Sequence, residues 1–218
     1  MRTHVMSTPE PREQRREDLR ERIVEAARDI VSEQGLDALS MRALALRIEH
    51  SPGTIYLYFK DKDELLRSVM AEGFRRLGSS IRDELDRLDP DASPIQQYSA
   101  TGRGYARFAL ENTGYFRTMF KMPKVAQLEG CPEEAGNPGE AQVESRVDLG
   151  AMIQRAAEQG QVAVSDPSRA AVMGWGLIHG LTSLYLSGHL NEVVGSHDEM
   201  MELIENAMDA LYEGWRPR

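Results

Sequence analysis

The segment SPGTIYLYFKDKDEL, residues 51–65, combines small polar residues with two tyrosines and two lysines. Ser51 and Pro52 are typical of a helix start, because a serine hydroxyl caps free backbone amides and proline fits the first helical position. Gly53 and Thr54 would then lie in the first turn, where small side chains permit close approach and unpaired amides point outward. These groups suit contact with phosphates and base edges.

The neighbouring side chains extend the same contact chemistry. Thr54 offers a hydroxyl and a methyl group, which suit a base edge or a thymine methyl. Tyrosine hydroxyls can hydrogen-bond to DNA phosphates, and the two lysines add positive charge beside them. Arg42 lies in the first turn of the helix predicted before this one, from which it would reach the other side of the DNA groove. The predicted DNA-contacting residues are Ser40, Arg42, Ser51, Pro52, Gly53, Thr54, Tyr56, Tyr58, Lys60 and Lys62.

Three residues of this region have alternative interpretations. Tyr56 could be a core residue with its hydroxyl at the surface, and Lys60 could be a solvated charge. A left-handed backbone at Glu49, in the turn between the two short helices, would cost on the order of 1 kcal/mol and place a carboxylate near phosphates. That turn could weaken DNA binding, or it could be built differently.

The distribution of charge is compatible with a polyanionic partner. The formal net charge is -9, yet residues 1–62 carry 11 Lys and Arg and 11 Asp and Glu, so the whole negative excess lies beyond residue 62. Because physiological salt screens exposed charges over roughly 8 Å, an acidic remainder does not exclude DNA binding.

Composition also restricts localisation and cofactor chemistry. Neither a secretory signal nor an apolar run of membrane-spanning length occurs, which predicts a cytoplasmic protein without a membrane partner. The single cysteine, Cys131, excludes an internal disulfide and a cysteine-based metal cluster, and the five histidines are dispersed. We expect no metal and no cofactor.

Apolar spacing and capping signals predict helices along almost the whole chain. Predicted helices cover about 13–34, 40–48, 51–59, 61–88, 93–112, 113–121, 140–160, 166–188 and the residues after Ser196, with a disordered tail over 1–12 and a mobile loop over 122–139. Ile55 and Phe59, four residues apart, are expected to face the core. No convincing strand pattern occurs, so the predicted fold class is all-α.

The segment GLDALSMRALALRIEHSPGTIYLYFKDKDELLRSVM resembles the N-terminal DNA-binding domain of TetR family (tetracycline-repressor-type) transcriptional regulators. The match covers roughly residues 17–77, with the helix-turn-helix at about 40–59. The family commonly has Ala-Gly-Val at the turn, where this chain has Ile48, Glu49 and His50. The segments YFRTMF and WGLIHGLTSL resemble the ligand-binding domain of a subgroup marked by Trp followed by His-Gly.

The resemblance implies a three-helix DNA-binding domain over residues 13–62 and a larger helical ligand-binding and dimerisation domain over 63–218. It further implies a homodimer that binds a near-palindromic double-stranded DNA operator and releases it on binding a small-molecule inducer. The fourth helix, which joins the two domains, would be the lever between them.

Aromatic and methionine side chains of the second half predict a permissive apolar pocket. The candidate pocket residues are Tyr105, Phe108, Phe116, Met119, Phe120, Met152, Trp175 and His179, with His179 as the polar anchor for a largely apolar ligand. Each of them could instead be an ordinary core residue.

The helix predicted over residues 166–188 is apolar on nearly all faces, which indicates a partner helix from a second copy. Gly174, Gly176 and Gly180 favour close helix approach, because glycine otherwise costs a helix about 1 kcal/mol. The last helix is predicted to join the same interface, as one half of a four-helix bundle, through Met200, Ile204, Ala207, Met208 and Leu211.

Two other classes of function remain open from the residues alone. A small helical enzyme could use His179 with Ser183 as nucleophile, although the sequence offers no orienting acid and no oxyanion motif. A helical interaction module that no longer binds DNA is the second alternative.

Overall fold

A computed structural model describes residues 11–120 and 148–217 of the chain. The helices are α1 Pro11–Gln34, α2 Met41–Arg47, α3 Pro52–Tyr56, α4 Lys62–Asp86, α5 Pro94–Glu111, α6 Thr113–Phe120, α7 Leu149–Glu158, α8 Pro167–Leu186 and α9 His197–Trp215, with a 3-10 turn at Leu36–Ala38. The described residues contain no strand, and the predicted all-α class is confirmed.

The predicted caps account for most helix starts. Ser40, Ser51, Asp61, Asp166 and Ser196 each accept a hydrogen bond from the backbone amide three residues on. Ser93 and Gln96 form the reciprocal capping box that begins α5. These side chains satisfy amides that a helix leaves unpaired, so local sequence sets where the elements begin.

Two predicted boundaries differ from the structure. α1 begins at Pro11, so residues 11 and 12 of the predicted tail are helical, and residues 1–10 lie outside the described part. The helix expected from about residue 140 begins instead at Leu149, because Asp148 is extended and its carboxylate caps the amide of Ala151 at 2.9 Å. The predicted mobile loop and Cys131 also lie outside the described residues.

The N-terminal helices share a core of fully buried apolar side chains, which fixes the positions of α2 and α3. Ile23 of α1, Leu44 of α2, Ile55 of α3 and Leu65 of α4 are fully buried, as is Phe59 just after α3. The prediction that Ile55 and Phe59 face the core is confirmed. Because α4 contributes to this core, its first turns move with the DNA-binding helices.

The other end of α4 packs closely against α5, the central helix of the second half. Ser80 of α4 donates a hydrogen bond to the carbonyl of Gly104 at 2.8 Å. A β-carbon at Gly104 would lie 2.6 Å from the α-carbon of Ile81 and 2.8 Å from the carbonyl oxygen of Ser80. The two backbones can approach this closely only because residue 104 has no side chain.

A buried carboxylate ties the same two helices together. Glu84 of α4 binds Arg103 Nε at 3.2 Å and Arg107 Nε at 2.9 Å on α5, and also pairs with Arg87. Burial raises the pKa of Glu84, but the arginine hydrogen bonds lower it further, so the net shift is downward. The C-terminal half of α4 is thus fixed to the second domain by an ionised group.

The structure corrects three of the five interface residues predicted on the last helix, whereas Ala207 and Leu211 are half-buried and the four-helix bundle stays a prediction. Met200, Ile204 and Met208 of α9 are buried within the subunit, against α5 and α8, and are not available to a second copy. Gly174 of α8 is likewise explained within the chain, because a β-carbon there would collide with the hydroxyl of Tyr98. Gly176 and Gly180 face open space in the single subunit.

The α4–α5 contact gives a stability prediction. Gly104→Ala should destabilise the fold by about 1–3 kcal/mol, because the added methyl group meets rigid backbone atoms. Gly214→Ala, whose β-carbon meets nothing within 4 Å, is the matched control and should be neutral or stabilising by up to about 1 kcal/mol. Thermal unfolding of both variants is the measurement, and equal melting temperatures would contradict the close approach.

Candidate DNA interface and ligand pocket

α2 and α3 form a compact helix-turn-helix with a tight, internally bonded turn. The amide of His50 donates to the carbonyl of Ala45 at 2.9 Å, and Glu49 is the described non-glycine residue with a positive φ, 58°. A left-handed backbone at this position, foreseen as one possibility, is confirmed, and a non-glycine residue pays steric strain there. The family-typical glycine position is therefore occupied here by a carboxylate at the exposed turn.

The first turn of α3 has the capping geometry expected of it. The Ser51 hydroxyl accepts from the amide of Thr54 at 3.2 Å and lies 3.0 Å from the Thr54 hydroxyl. A β-carbon at Gly53 would meet only the Ser51 hydroxyl oxygen, at 3.7 Å. The face presented by Pro52, Gly53 and the methyl of Thr54 is consequently small and open.

The aromatic and basic residues around α3 occupy different environments. Tyr56 is 56 % exposed, which argues against the interpretation of Tyr56 as a core residue. Tyr58 is half-buried, with the Arg16 guanidinium of α1 6.0 Å from its ring centroid. Arg42 is exposed in the first turn of α2, and the Lys60 side chain is 87 % exposed, 3.9 Å from Asp61.

Lys62 has a structural partner that sequence reasoning did not foresee. Its ammonium donates to the carbonyl of Leu36 at 2.8 Å, joining the start of α4 to the 3-10 turn after α1. An ammonium has three donors, so this bond leaves two for other acceptors. Changing Lys62 would therefore alter stability as well as charge, which makes Lys60 the cleaner probe of the surface.

Two leucines near the turn are exposed, and the sequence analysis missed them. Leu46 of α2 is 81 % exposed and Leu57, just after α3, is 75 % exposed. Neither falls on the core-facing positions of its helix, and that spacing was the available signal. Apolar groups beside the predicted phosphate-contacting residues are suited to thymine methyl contacts.

In the second domain, four of the predicted pocket residues converge on a fifth, His179 of α8. The ring of His179 lies 5.1 Å from Phe120, 5.5 Å from Phe116, 5.7 Å from Trp175 and 6.2 Å from Tyr105, centroid to centroid. We call these five residues, His179 included, the His179 cluster. They come from α5, α6 and α8, so the cluster joins three helices.

One hydrogen bond fixes the histidine within its cluster. The Tyr105 hydroxyl lies 2.7 Å from His179 Nδ1, and Ser183 Oγ lies 3.4 Å from Nε2. Burial raises the pKa of Tyr105 and lowers the pKa of His179, so both are neutral near pH 7. A neutral imidazole that accepts from the phenol at Nδ1 carries its proton on Nε2, toward Ser183.

The remaining pocket candidates lie elsewhere in the core. Met119 packs toward α4, where a β-carbon on Gly73 would come within 2.5 Å of its sulfur. Phe108 and Met152 are buried core residues of α5 and α7. The structure therefore separates these three from the ring contacts that define the His179 cluster.

A small apolar cavity adjoins the cluster. Its volume is about 50 Å³, and its lining includes Tyr105 and Trp175 together with residues that the sequence analysis missed: Ile81, Tyr98, Thr101, Gly102, Leu149 and Ile178. A water molecule takes about 30 Å³, so a drug-sized ligand fits only if side chains move apart. Trp175, 41 % exposed, is the wall residue that separates this cavity from solvent in the single subunit.

The cluster is connected to the DNA-binding helices through a neighbouring residue of α6. Tyr115 is fully buried, and its ring lies between the guanidinium of Arg28 from α1, 4.8 Å away, and that of Arg76 from α4, 4.9 Å away. Phe116, next in sequence, belongs to the His179 cluster. α6 thus contacts the pocket on one side and the α1–α4 junction on the other.

Comparison with known proteins agrees with this architecture. Residues 23–69 match the family model described as bacterial regulatory proteins, tetR family, and residues 98–211 match that of the tetracyclin repressor-like C-terminal domain. The TetR family transcriptional regulator PfmR of Thermus thermophilus has the same fold, with a TM-score of 0.68 at 22% identity over 88% of this chain and 97% of that chain.

Two curated relatives each match less than half of the chain. An uncharacterized HTH-type transcriptional regulator of Haemophilus influenzae is 34% identical over 99 residues, 45% of this chain and 51% of that protein. The HTH-type transcriptional repressor KstR of Rhodococcus jostii is 39% identical over 78 residues, 36% of this chain and 34% of that protein. The chain spans about half or less of the length of these two relatives.

The fold and the α2–turn–α3 unit define a DNA-binding protein of the helix-turn-helix class. Since the C-terminal family model alone covers more than half of the chain, the chain belongs to the tetR family of bacterial regulatory proteins. The family and the relatives are transcriptional regulators rather than enzymes. None of the described helices combines the length and apolar character needed to cross a membrane.

The burial of His179 predicts a pH dependence of stability. Its pKa is lower in the folded chain than in the unfolded chain, where it is about 6.5. The unfolded state therefore binds the proton first, and stability should fall as the pH drops below about 6.5. In His179→Gln this contribution should disappear, whereas His189→Gln, outside the cluster, is the matched control. The measurement is the melting temperature between about pH 5 and pH 8. Equal slopes of melting temperature against pH in wild type and His179→Gln would contradict the prediction.

Proposed function

We propose that this chain is a ligand-responsive transcriptional repressor that acts in the cytoplasm. Two subunits would bind a near-palindromic double-stranded DNA operator and release it when a small, largely apolar molecule enters the second domain. The observation that carries the proposal is the position of α6, which contacts both the His179 cluster and the α1–α4 junction. Repression rather than activation is favoured by the likeness to a repressor, KstR.

The proposed DNA surface is centred on α3. Thr54 would contact a base edge, Tyr56 and Tyr58 would bond phosphates, and Lys60 would add a mobile positive charge. Ser40, Arg42, Ser51, Pro52, Gly53 and Lys62 complete the proposed contact set. Glu49, exposed at the strained turn, would reduce affinity through repulsion from phosphates.

The proposed homodimer uses the outer face of α8. Val172, Met173, Trp175 and Leu184 are exposed large apolar side chains on this helix. Gly176 and Gly180, with no neighbour within 4 Å in the single subunit, would let a partner helix approach closely. Such a patch on one helix is better explained by a second copy than by solvent, and a cyclic dimer would set the recognition helices about 34 Å apart.

The proposed ligand site is the His179 cluster enlarged by displacement of Trp175 or Phe120. The Trp175 and His179-Gly180 pattern supports membership of the ligand-binding subgroup that these residues resemble, and His179 would supply the orienting polar contact. An acceptor atom on the ligand would accept a hydrogen bond from Nε2–H of His179, while the hydroxyl of Tyr105 keeps its hydrogen bond to Nδ1. The surrounding rings would bind an apolar body by burial and by stacking.

The proposed coupling runs through α6 to α4. A ligand that displaces Phe116 or Phe120 would shift α6 and with it Tyr115, which lies between Arg28 and Arg76. Because α4 is fixed at its far end by Glu84 and Gly104, such a shift would tilt its first turns and the attached DNA-binding helices. A coupling of about 1–3 kcal/mol would lower operator affinity about 5- to 150-fold.

The DNA-contact assignment separates base reading from charge. Thr54→Ala should lower the discrimination between bases at one or two operator positions by roughly 1–3 kcal/mol. Lys60→Ala should weaken binding to all DNA sequences alike and reduce the slope of log affinity against log salt concentration by about 1. Binding to the promoter beside its own gene and to single-base variants, at several salt concentrations, is the measurement. Unchanged base preference in Thr54→Ala would remove Thr54 from the reading surface, and absence of any DNA binding would favour an interaction module.

The pocket assignment predicts a variant that binds DNA but responds poorly. His179→Leu should fold, dimerise and bind operator, yet lose most of the ligand-induced release, because the orienting hydrogen bond is gone. Operator affinity is measured with and without a compound found by thermal-shift screening, with His189→Leu as the matched control. Full release in His179→Leu, or failure of the variant to fold, would make His179 a core residue rather than a ligand contact.

A further inference from the structure

An apolar residue, Leu57, lies opposite the core side of the recognition helix α3. Successive residues of an α-helix are about 100° apart around its axis. Ile55 and Phe59 are fully buried, so the direction midway between them marks the core side. Leu57 points about 180° away from that direction. It is 75 % exposed in the single subunit.

The backbone supports this placement although α3 itself ends at Tyr56. Leu57 has φ −72° and ψ −17°, which are helical angles. The amide of Leu57 donates to the carbonyl of Thr54 at 3.2 Å, and the amide of Phe59 donates to the carbonyl of Ile55 at 3.0 Å. The helical path therefore continues through Leu57, and its side chain belongs to the outward face of the recognition helix.

The neighbours of Leu57 leave this outward face open. Gly53, one turn earlier, lies about 40° from Leu57 around the axis and has no side chain. A β-carbon at Gly53 would meet only the Ser51 hydroxyl oxygen, at 3.7 Å. Tyr56 and Tyr58 lie about 100° to either side of Leu57. The two tyrosines thus flank the outward face, and Leu57 occupies its centre.

Position decides what the exposure of Leu57 means. Single exposed apolar side chains are common on protein surfaces, so exposure alone assigns no role. The major groove of B-DNA, about 12 Å wide, admits an α-helix, and the outward face of that helix then meets the base edges. A leucine has no hydrogen-bond donor or acceptor. The apolar group that the bases present in the major groove is the 5-methyl group of thymine.

We propose that Leu57 contacts the 5-methyl group of a thymine and so selects a T·A pair at one position of each operator half-site. Tyr56 and Tyr58 bond the phosphates on the two sides of the groove, and Thr54 contacts a neighbouring base edge. The inference rests on the proposed DNA surface and adds to it a residue that determines specificity.

The test uses a duplex that the full chain selects from random DNA sequences. Each thymine of the duplex is replaced in turn by deoxyuridine, which lacks only the 5-methyl group. At one thymine of each half-site, the replacement should weaken binding of wild type about fourfold, the effect of one buried methyl group. Leu57→Ala should bind the thymine and deoxyuridine duplexes equally. Leu57→Met should keep the difference, because methionine is apolar and similar in volume.

Two further variants separate Leu57 from other causes of the effect. Val193→Ala is the matched control, since Val193 is 77 % exposed and lies after α8, outside the helix-turn-helix. It should discriminate thymine from deoxyuridine as wild type does. Thr54→Ser removes the methyl group of Thr54 and should also keep the fourfold difference at the Leu57 position. Melting temperatures equal to that of wild type should accompany Leu57→Ala, because its side chain is exposed.

A second readout restores the methyl group on a different base. With the critical T·A pair replaced, a 5-methylcytosine·guanine pair should bind wild type more tightly than a cytosine·guanine pair, and Leu57→Ala should not distinguish the two. Wild type that ignores every deoxyuridine replacement, or Leu57→Ala that keeps the fourfold difference, would overturn this proposal alone. A chain that selects no duplex would contradict the DNA-binding function and overturn the proposal with it.

Discussion

The close packing of α4 on α5 is the constraint on which the rest of the structure depends. Gly104 allows the two backbones to approach, and Ser80 bonds across the contact. The carboxylate of Glu84 binds Arg103 and Arg107 of α5 as well as Arg87, which follows α4. One end of α4 is therefore part of the second domain. The other end is part of the DNA-binding core through Leu65 and Leu66, so a single helix belongs to both domains.

That arrangement explains why a small change in the second domain can reach the recognition helix. Interlocked cores do not deform continuously, so a displaced side chain moves the helix that carries it. Two adjacent residues of α6 contact different parts of the molecule. Phe116 packs in the His179 cluster, and Tyr115 packs against Arg28 of α1 and Arg76 of α4. The hydrogen bond between Tyr105 and His179 is partly buried, so a rearrangement of the cluster would alter it.

Much of the fold could be predicted from local chemistry, because capping side chains and apolar spacing act within a few residues. Ser51, Asp61 and Ser93 begin helices as their sequence context predicts. Long-range partners could not be predicted in this way. The bond from Lys62 to Leu36 spans 26 positions, and the burial of Met200 and Ile204 inside the subunit depends on packing that periodicity alone cannot assign to one partner.

The convergence on His179 was partly predictable. Residue type alone predicts the pocket role of Tyr105, Phe116, Phe120 and Trp175. Packing of three helices then brings these side chains together. Phe108, Met119 and Met152 have the same chemistry, yet their helix faces point them to other parts of the core. Tyr115 has no distinguishing signal in the sequence, because its role arises from two arginines that are 48 residues apart in the chain.

The most direct test of the account is the distance between the two recognition helices in the dimer, measured by pulsed electron paramagnetic resonance. Spin labels would be placed at Lys60→Cys in a Cys131→Ser background, with and without a compound that releases operator. The account predicts a narrow distribution that fits adjacent major grooves, about 34 Å between helix centres, when operator is bound. It also predicts a shifted or broadened distribution when the compound is bound. A distribution that stays the same while operator is released would contradict the coupling through α6 and α4.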